Sequence, residues 1–163
     1  MARLGTGSLM KLPQCTPQST GGSQSSPGIR PGGIGDILEE GLSLEAVYLH
    51  VPFCRHRCHY CDFYTLAGRE DAMEAYVDRA VDEMRISSRR FASPVSSIFF
   101  GGGTPTLLPP PLLGKLMEGV REHIPLEEDL EWTVEANPET VNVEVARVLA
   151  EHGATRVSLG AQP

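Results

Sequence analysis

Tyr48 to Phe63 reads YLHVPFCRHRCHYCDF and sets Cys54, Cys58 and Cys61 in a C-x3-C-x2-C triplet directly behind a short apolar run. Three thiolates are one too few to close a four-coordinate site. A cubane iron–sulfur cluster held by three cysteines leaves one iron open to a ligand that is not protein, and that iron is where chemistry can take place. Zinc with a histidine as fourth ligand competes, because His50, His56 and His59 lie close by and Cys3His is an ordinary structural zinc set. Structural zinc ligands usually come as two separated pairs, however, and no second Cys or His pair follows. Three clustered cysteines cannot pair completely as disulfides. Unligated core thiols are the remaining alternative.

Working outward, strand and helix signals alternate from Ala46 onward. A short apolar strand over 46–51 precedes the Cys loop. Met73, Tyr76, Val77, Ala80, Val81 and Met84 recur at the i, i+3, i+4 spacing of one apolar helix face within residues 70–89. A strand is expected at 95–100, then a glycine run, the prolines Pro109 to Pro111, and a helix at 112–122. A third strand at 130–135 alternates Trp132 and Val134 against Thr133 and Glu135. A helix at 141–152 stops at Gly153, the usual C-terminal glycine, before a fourth strand at 155–159. Repeated βα units with apolar strands predict an α/β fold in which helices cover a parallel sheet. Ligands in such folds bind at the carboxyl ends of the strands, where the Cys triplet, Gly101 to Thr104, Glu135 and Gln162 all fall.

Composition bounds the partners. The 163 residues are 40% hydrophobic, enough for a core, and the formal net charge is −7. Residues 1–35 hold Arg3, Lys11 and Arg30 and no acid, leaving 11 basic against 21 acidic residues, a net of −10, for the rest. An acidic body argues against nucleic acid as partner. No apolar run approaches the ~18 residues of a membrane span. Gly, Ser and Pro make up about half of residues 1–35, so residues 1–43 read as a disordered leader carrying the lone Cys15. A mitochondrial presequence is the alternative, although three basic residues among Gly and Pro make a poor amphipathic helix. Reduced, clustered thiols indicate a cytoplasmic protein.

Four ordered motifs carry a family likeness: the Cys triplet with Tyr60 just before its last cysteine, GGGTPT at 101–106, EANPETV at 135–141 and RVSLGAQ at 156–162. Together they resemble the radical S-adenosylmethionine (radical SAM) family, and within it the oxygen-independent coproporphyrinogen III oxidase-like proteins with their HemW branch of haem chaperones. The resemblance implies that 44–163 form the N-terminal part, about four βα units, of a partial (β/α)6 barrel, truncated at its C-terminal side. It implies a [4Fe–4S] cluster on Cys54, Cys58 and Cys61, with S-adenosylmethionine chelating the open iron and cleaved by an electron to give a 5′-deoxyadenosyl radical. Tyr48, Tyr60, Gly102, Gly103, Thr104, Glu135 and Gln162 would contact that cofactor, with Gly101 to Gly103 letting backbone approach the methionine moiety and Glu135 accepting from the ribose hydroxyls. The glycine run lacks the Gly-Lys-Ser/Thr ending of a phosphate loop, which removes nucleoside triphosphates.

Two functions follow from the likeness. One is oxidative decarboxylation of coproporphyrinogen III, and the other is haem binding with transfer to an acceptor protein. The decarboxylases tend to extend the triplet to C-x3-C-x2-C-x-C, whereas Phe63 fills that position here, as in the chaperones. Both functions imply haem or porphyrin as ligand and an electron donor for the cluster. A zinc-stapled structural module is the third possibility. Haem- or porphyrin-binding residues are expected beyond Pro163.

Overall fold

Along β1 (Ala46–Val51), Leu49 and Val51 are buried while Tyr48, between them and the strand's start, is 56% exposed. That alternation gives the strand one face for a core and one for a site. The computed structural model describes residues 44–160. The leader, with Cys15, and the expected cofactor contact Gln162 lie outside the described residues.

After β1 come two short strands, β2 (Phe53–Cys54) and β3 (Leu66–Ala67), which pair in parallel and bracket the cysteine loop. A 3₁₀ turn at Glu70–Ala72 leads into α1 (Met73–Ser87), which buries Met73, Val77 and Met84. Strand β4 (Val95–Gly102) runs directly into the glycine segment. Helix α2 (Pro110–His123) carries prolines in its first turn, where a missing N–H has no intrahelical acceptor to lose. It buries Leu113, Leu116, Met117 and Val120. Strand β5 (Leu126–Ala136) is followed by α3 (Val143–Glu151), capped by Asn142 Oδ1 accepting from Val145 N at 2.9 Å. Gly153, at φ +88°, ends that helix before β6 (Arg156–Leu159).

The strands β1, β4, β5 and β6 form one parallel sheet in that order. Leu49, Val51, Ile98, Phe100, Trp132 and Val134 enter a single core with the apolar faces of α1, α2 and α3. The helices pack on one another in sequence, α1 on α2 and α2 on α3. Phe100 and Trp132 meet edge to face at 5.4 Å in the middle of this layer. The α/β parallel fold is therefore as expected, with β1 and β6 as the edges of the sheet. Among the described residues no helix is long and apolar enough to cross a membrane.

Some details differ from the sequence reading. Strand β5 begins at Leu126 and not at residue 130, because Leu126 pairs with Val95 before an irregularity lets Glu127 to Asp129 bulge out of the ladder. Helix α3 begins at Val143, since Asn142 stands outside it as the cap. Thr133, on the face of β5 opposite Trp132 and Val134, is buried too: its Oγ1 accepts from Arg156 Nε at 2.8 Å, and Arg156 also pairs with Glu131 at 2.8 Å.

Candidate cofactor site

A parallel sheet delivers all its carboxyl ends to one edge, and here a cavity of about 740 Å³ opens there. Cys54, at the end of β2, and Cys58 and Cys61, on the loop between β2 and β3, all line it and are all free thiols. The loop is held at both ends by backbone bonds, Leu66 N to Pro52 O at 2.8 Å and Gly68 N to Cys54 O at 3.4 Å. A turn closed by Cys61 N donating to Cys58 O at 3.1 Å sets the spacing of the last two cysteines.

His50 ties this loop back to the sheet. Its Nε2 lies 2.9 Å from the carbonyl of Tyr64 and its Nδ1 3.1 Å from Tyr48 Oη. A carbonyl can only accept, so Nε2 carries the proton, and in the neutral ring Nδ1 accepts from the tyrosine. Tyr76 Oη in turn donates to the His50 carbonyl. Both ring nitrogens are thus engaged within the protein.

The glycine run serves a purpose that local sequence does not show. A Cβ on Gly103 would lie 2.6 Å from Phe53 O and 2.7 Å from Pro52 C. That close approach lets Gly103 N donate to Val51 O at 2.8 Å and Thr104 N to Phe53 O at 2.7 Å, which extends the pairing of β4 beside the segment leading to Cys54. Gly102, at φ +110°, leaves room for the His50 ring, which a Cβ would meet at 2.6 Å. Gly102 N donates to Glu135 Oε2 at 3.3 Å. Glu135 sits at the end of β5 and lines the cavity with Gly102, Gly103 and Thr104.

The remaining expected contacts divide. Tyr60 lines the cavity, and its hydroxyl is pushed up chiefly by its hydrogen bond with Cys58. Tyr48 does not line it: its ring stacks on Phe99 at 6.0 Å and its hydroxyl turns to His50. Burial, and then the Glu135 carboxylate, push that hydroxyl up. Burial also pushes the Cys54 thiol up, a hydrogen bond from Thr104 pulls it down, and Cys61 and Cys58 push it up again. The three sulfurs therefore feel one another. Among the described residues, however, no three His, Cys, Asp or Glu side chains converge on a point as a single-ion site would require. Tetrahedral zinc needs that convergence. A cubane cluster takes one thiolate at each of three irons, so separate thiols around one cavity fit it better.

The far wall is the EANPETV segment at 135–141, whose internal bonding the sequence did not show. Asn137 Oδ1 accepts from Glu139 N at 2.9 Å, and the Thr140 hydroxyl donates to Asn137 O at 2.9 Å. Thr106 meets Thr140 at 2.6 Å, fastening this turn to the segment after the glycines. Arg55 and Glu139 approach to 3.8 Å across the mouth, both largely exposed. Thr65 also borders the cavity, and its hydroxyl, buried away from solvent, has no partner among the described residues.

Comparison with known proteins is consistent with this arrangement. The chain is 37% identical over 117 residues to the haem chaperone HemW of Lactococcus lactis, covering 72% of this chain and 30% of that protein. It is 38% identical over 120 residues to the oxygen-independent coproporphyrinogen III oxidase of Cereibacter sphaeroides, covering 72% and 26%. Among solved structures it is similar to coproporphyrinogen III oxidase (HemN) from Escherichia coli, described as a radical SAM enzyme, with a TM-score of 0.69, 29% identity, and coverage of 77% and 30%. The chain spans about a third or less of the length of these relatives, and their near-equal identities do not separate chaperone from oxidase. The sequence model of the radical SAM superfamily matches residues 48–162, from β1 through the cysteine loop to the end of β6, and the chain belongs to that superfamily.

Proposed function

We propose that this chain provides the cluster- and S-adenosylmethionine-binding part of a haem chaperone of the HemW type. The observation that carries the choice is Phe63. It is 64% exposed and lines the cysteine cavity at the position where the decarboxylases tend to have a further cysteine, so an apolar ring stands in place of a thiol. Free thiols at Cys54, Cys58 and Cys61 favour a reducing compartment, and we assign the protein to the cytoplasm. An electron donor and a haem acceptor protein are the partners this reading requires.

When bound, a [4Fe–4S] cluster supplies an open iron for the amino and carboxylate groups of S-adenosylmethionine and an electron for its reductive cleavage. Cys54, Cys58 and Cys61 would hold it. The chain's own residues bind and orient around that centre. Glu135 keeps Oε2 on Gly102 N and offers its other carboxylate oxygen to a ribose hydroxyl. Thr104 donates to Cys54 and favours its thiolate. His50, by gripping Tyr64 O, fixes the loop that positions Cys58 and Cys61.

The test is anaerobic reconstitution with iron and sulfide, followed by haem titration and by incubation with reductant, S-adenosylmethionine and coproporphyrinogen III. Haem binding with a shifted Soret band and no decarboxylated product is expected. Repeated turnover to a vinyl-bearing porphyrinogen would instead establish the oxidase, the second reading, which the similarity to HemN favours. Alanine at Cys54, Cys58 or Cys61 should abolish iron uptake, whereas Cys15→Ser should leave it unchanged.

A further inference from the structure

Two of the three cysteines stand at the ends of one tight turn. Cys61 N donates to Cys58 O at 3.1 Å across His59 and Tyr60, and the Arg57 guanidinium, from the residue before the turn, donates to Cys61 O at 3.4 Å. A hydrogen-bonded turn of this kind keeps its first and last Cα atoms within about 7 Å. A disulfide needs a Cα separation of about 4.4–6.8 Å, so the backbone already brings this pair within bridging range. Cys54 is placed differently. It lies on β2 in register with Ala67, its carbonyl accepts from Gly68 N at 3.4 Å, and its side chain is hydrogen-bonded to Thr104. Cys58 and Cys61 are only half-buried and line the open cavity, so a small oxidant in solution reaches both.

We infer that, in the protein without its cluster, Cys58 and Cys61 form a reversible disulfide that closes the site to a cluster until a thiol reductant reopens it. The step is exchange with a low-molecular-weight disulfide such as oxidised glutathione. One cysteine thiolate attacks a sulfur of that disulfide, its S–S bond breaks, and one glutathione thiol leaves. The other cysteine thiolate then attacks the protein sulfur of the mixed disulfide and expels the second glutathione thiol. The two cysteines together lose two electrons and two protons, and oxidised glutathione is reduced to two thiols. A bridge that solvent can reach belongs to the labile, redox-sensing kind and not to the structural kind. Its consequence rests on the cluster-binding reading above: a cluster takes one thiolate at each of three irons, and the bridge leaves Cys54 alone.

The experiment uses the full chain freed of metal, reduced, equilibrated anaerobically with oxidised glutathione and then treated with N-ethylmaleimide. Trypsin cuts after Arg57 and Arg69, so Cys58 and Cys61 leave in one peptide and Cys54 in another. Mass spectrometry should find the first peptide unalkylated and lighter by both thiol hydrogens, with Cys54 alkylated or glutathionylated. Cys54→Ser and Cys15→Ser should bridge as wild type does, and Cys61→Ser should not. Given iron and sulfide without added thiol, the bridged protein should lose the initial rate of cluster formation that the reduced protein shows, and dithiothreitol should restore it. Alkylation of all three cysteines after oxidation, or a bridge to Cys54 as the main product, overturns the inference. A bridged protein that acquires cluster as fast as the reduced one also overturns it. Reduced wild type that takes up no iron and sulfide overturns the parent reading and the lock together, an outcome separate from a reduced form that loads and an oxidised form that carries no bridge.

Discussion

Replacing Gly103 with alanine tests whether the glycine run is there for the protein's own backbone. The added Cβ would stand 2.6 Å from Phe53 O, 2.7 Å from Pro52 C and 2.8 Å from Pro52 O, all main-chain atoms that cannot rotate aside. Relief requires the end of β4 to move off the Pro52–Phe53 segment, weakening the bonds from Gly103 N to Val51 O and from Thr104 N to Phe53 O. Overpacking of this kind costs about 1–3 kcal/mol. Two backbone hydrogen bonds add about 0.5–1.5 kcal/mol each, so the loss should be about 2–6 kcal/mol, a large part of the roughly 5–15 kcal/mol that holds a domain together. With a urea m-value of about 2 kcal/mol/M, the unfolding midpoint should fall by about 1–3 M. The same chemical change at Gly114, whose nearest neighbour would be His152 Cε1 at 3.5 Å, should stabilise, since alanine is the better helix former by about 0.8–1.0 kcal/mol. A Gly103→Ala midpoint indistinguishable from wild type would refute the reasoning.

At the contact of α1 with α2, a Cβ on Gly119 would sit 2.7 Å from Val81 Cγ2, so Gly119→Ala should cost about 1–3 kcal/mol by urea unfolding, and adding Val81→Ala should restore part of it. Burial, with Glu83 and Tyr48 assisting, pushes the Tyr76 hydroxyl up to about 12. Its contribution to stability is therefore complete below the ordinary phenol value of about 10 and is lost as pH rises toward 12. The wild-type midpoint should fall across that window, and Tyr76→Phe, lacking the bond to His50 O, should start lower at neutral pH and fall less steeply. Glu135→Ala removes a charged acceptor, an effect of about 1.5–3 kcal/mol. Calorimetry on the reconstituted protein should show S-adenosylmethionine binding weakened by about 10- to 100-fold, and unchanged affinity would remove the ribose role.

Periodicity made the main sheet legible. Ala46–Val51 is found with the bounds expected, and the apolar stripe of Met73, Val77 and Met84 does face the core. The acidic run Glu127 to Asp129 looked like a loop because its side chains belong in water; it lies within β5 because a bulge keeps them there. The two-residue pairing of Phe53–Cys54 with Leu66–Ala67 is too short to have a period at all. The triplet brought its three cysteines to one cavity as spacing suggested, and Glu135 reached the same place from a distant strand. What one-dimensional reading could not give was who needs the space at each glycine. The neighbours of Gly102 and Gly103 are His50, Pro52 and Phe53, about fifty positions earlier in the chain. Thr65, an unremarked residue between two pinned peptides, is legible only once its surroundings are known.

The order of strands in the sheet has a consequence for how the molecule assembles. Since β1, β4, β5 and β6 neighbour one another in the order in which they are synthesised, no strand has to insert between two that are already paired. Each pairing, Tyr48 with Phe99, then Phe99 with Thr133, then Thr133 with Arg156, closes a successively shorter stretch of chain. Loop closure costs only slightly more entropy for the longer stretch, so each later strand finds an edge already made by the one before it. Growth from the ribosome would then run in the direction of easiest addition, with the cysteine loop already enclosed between its first two major strands before the wall bearing Glu135 arrives.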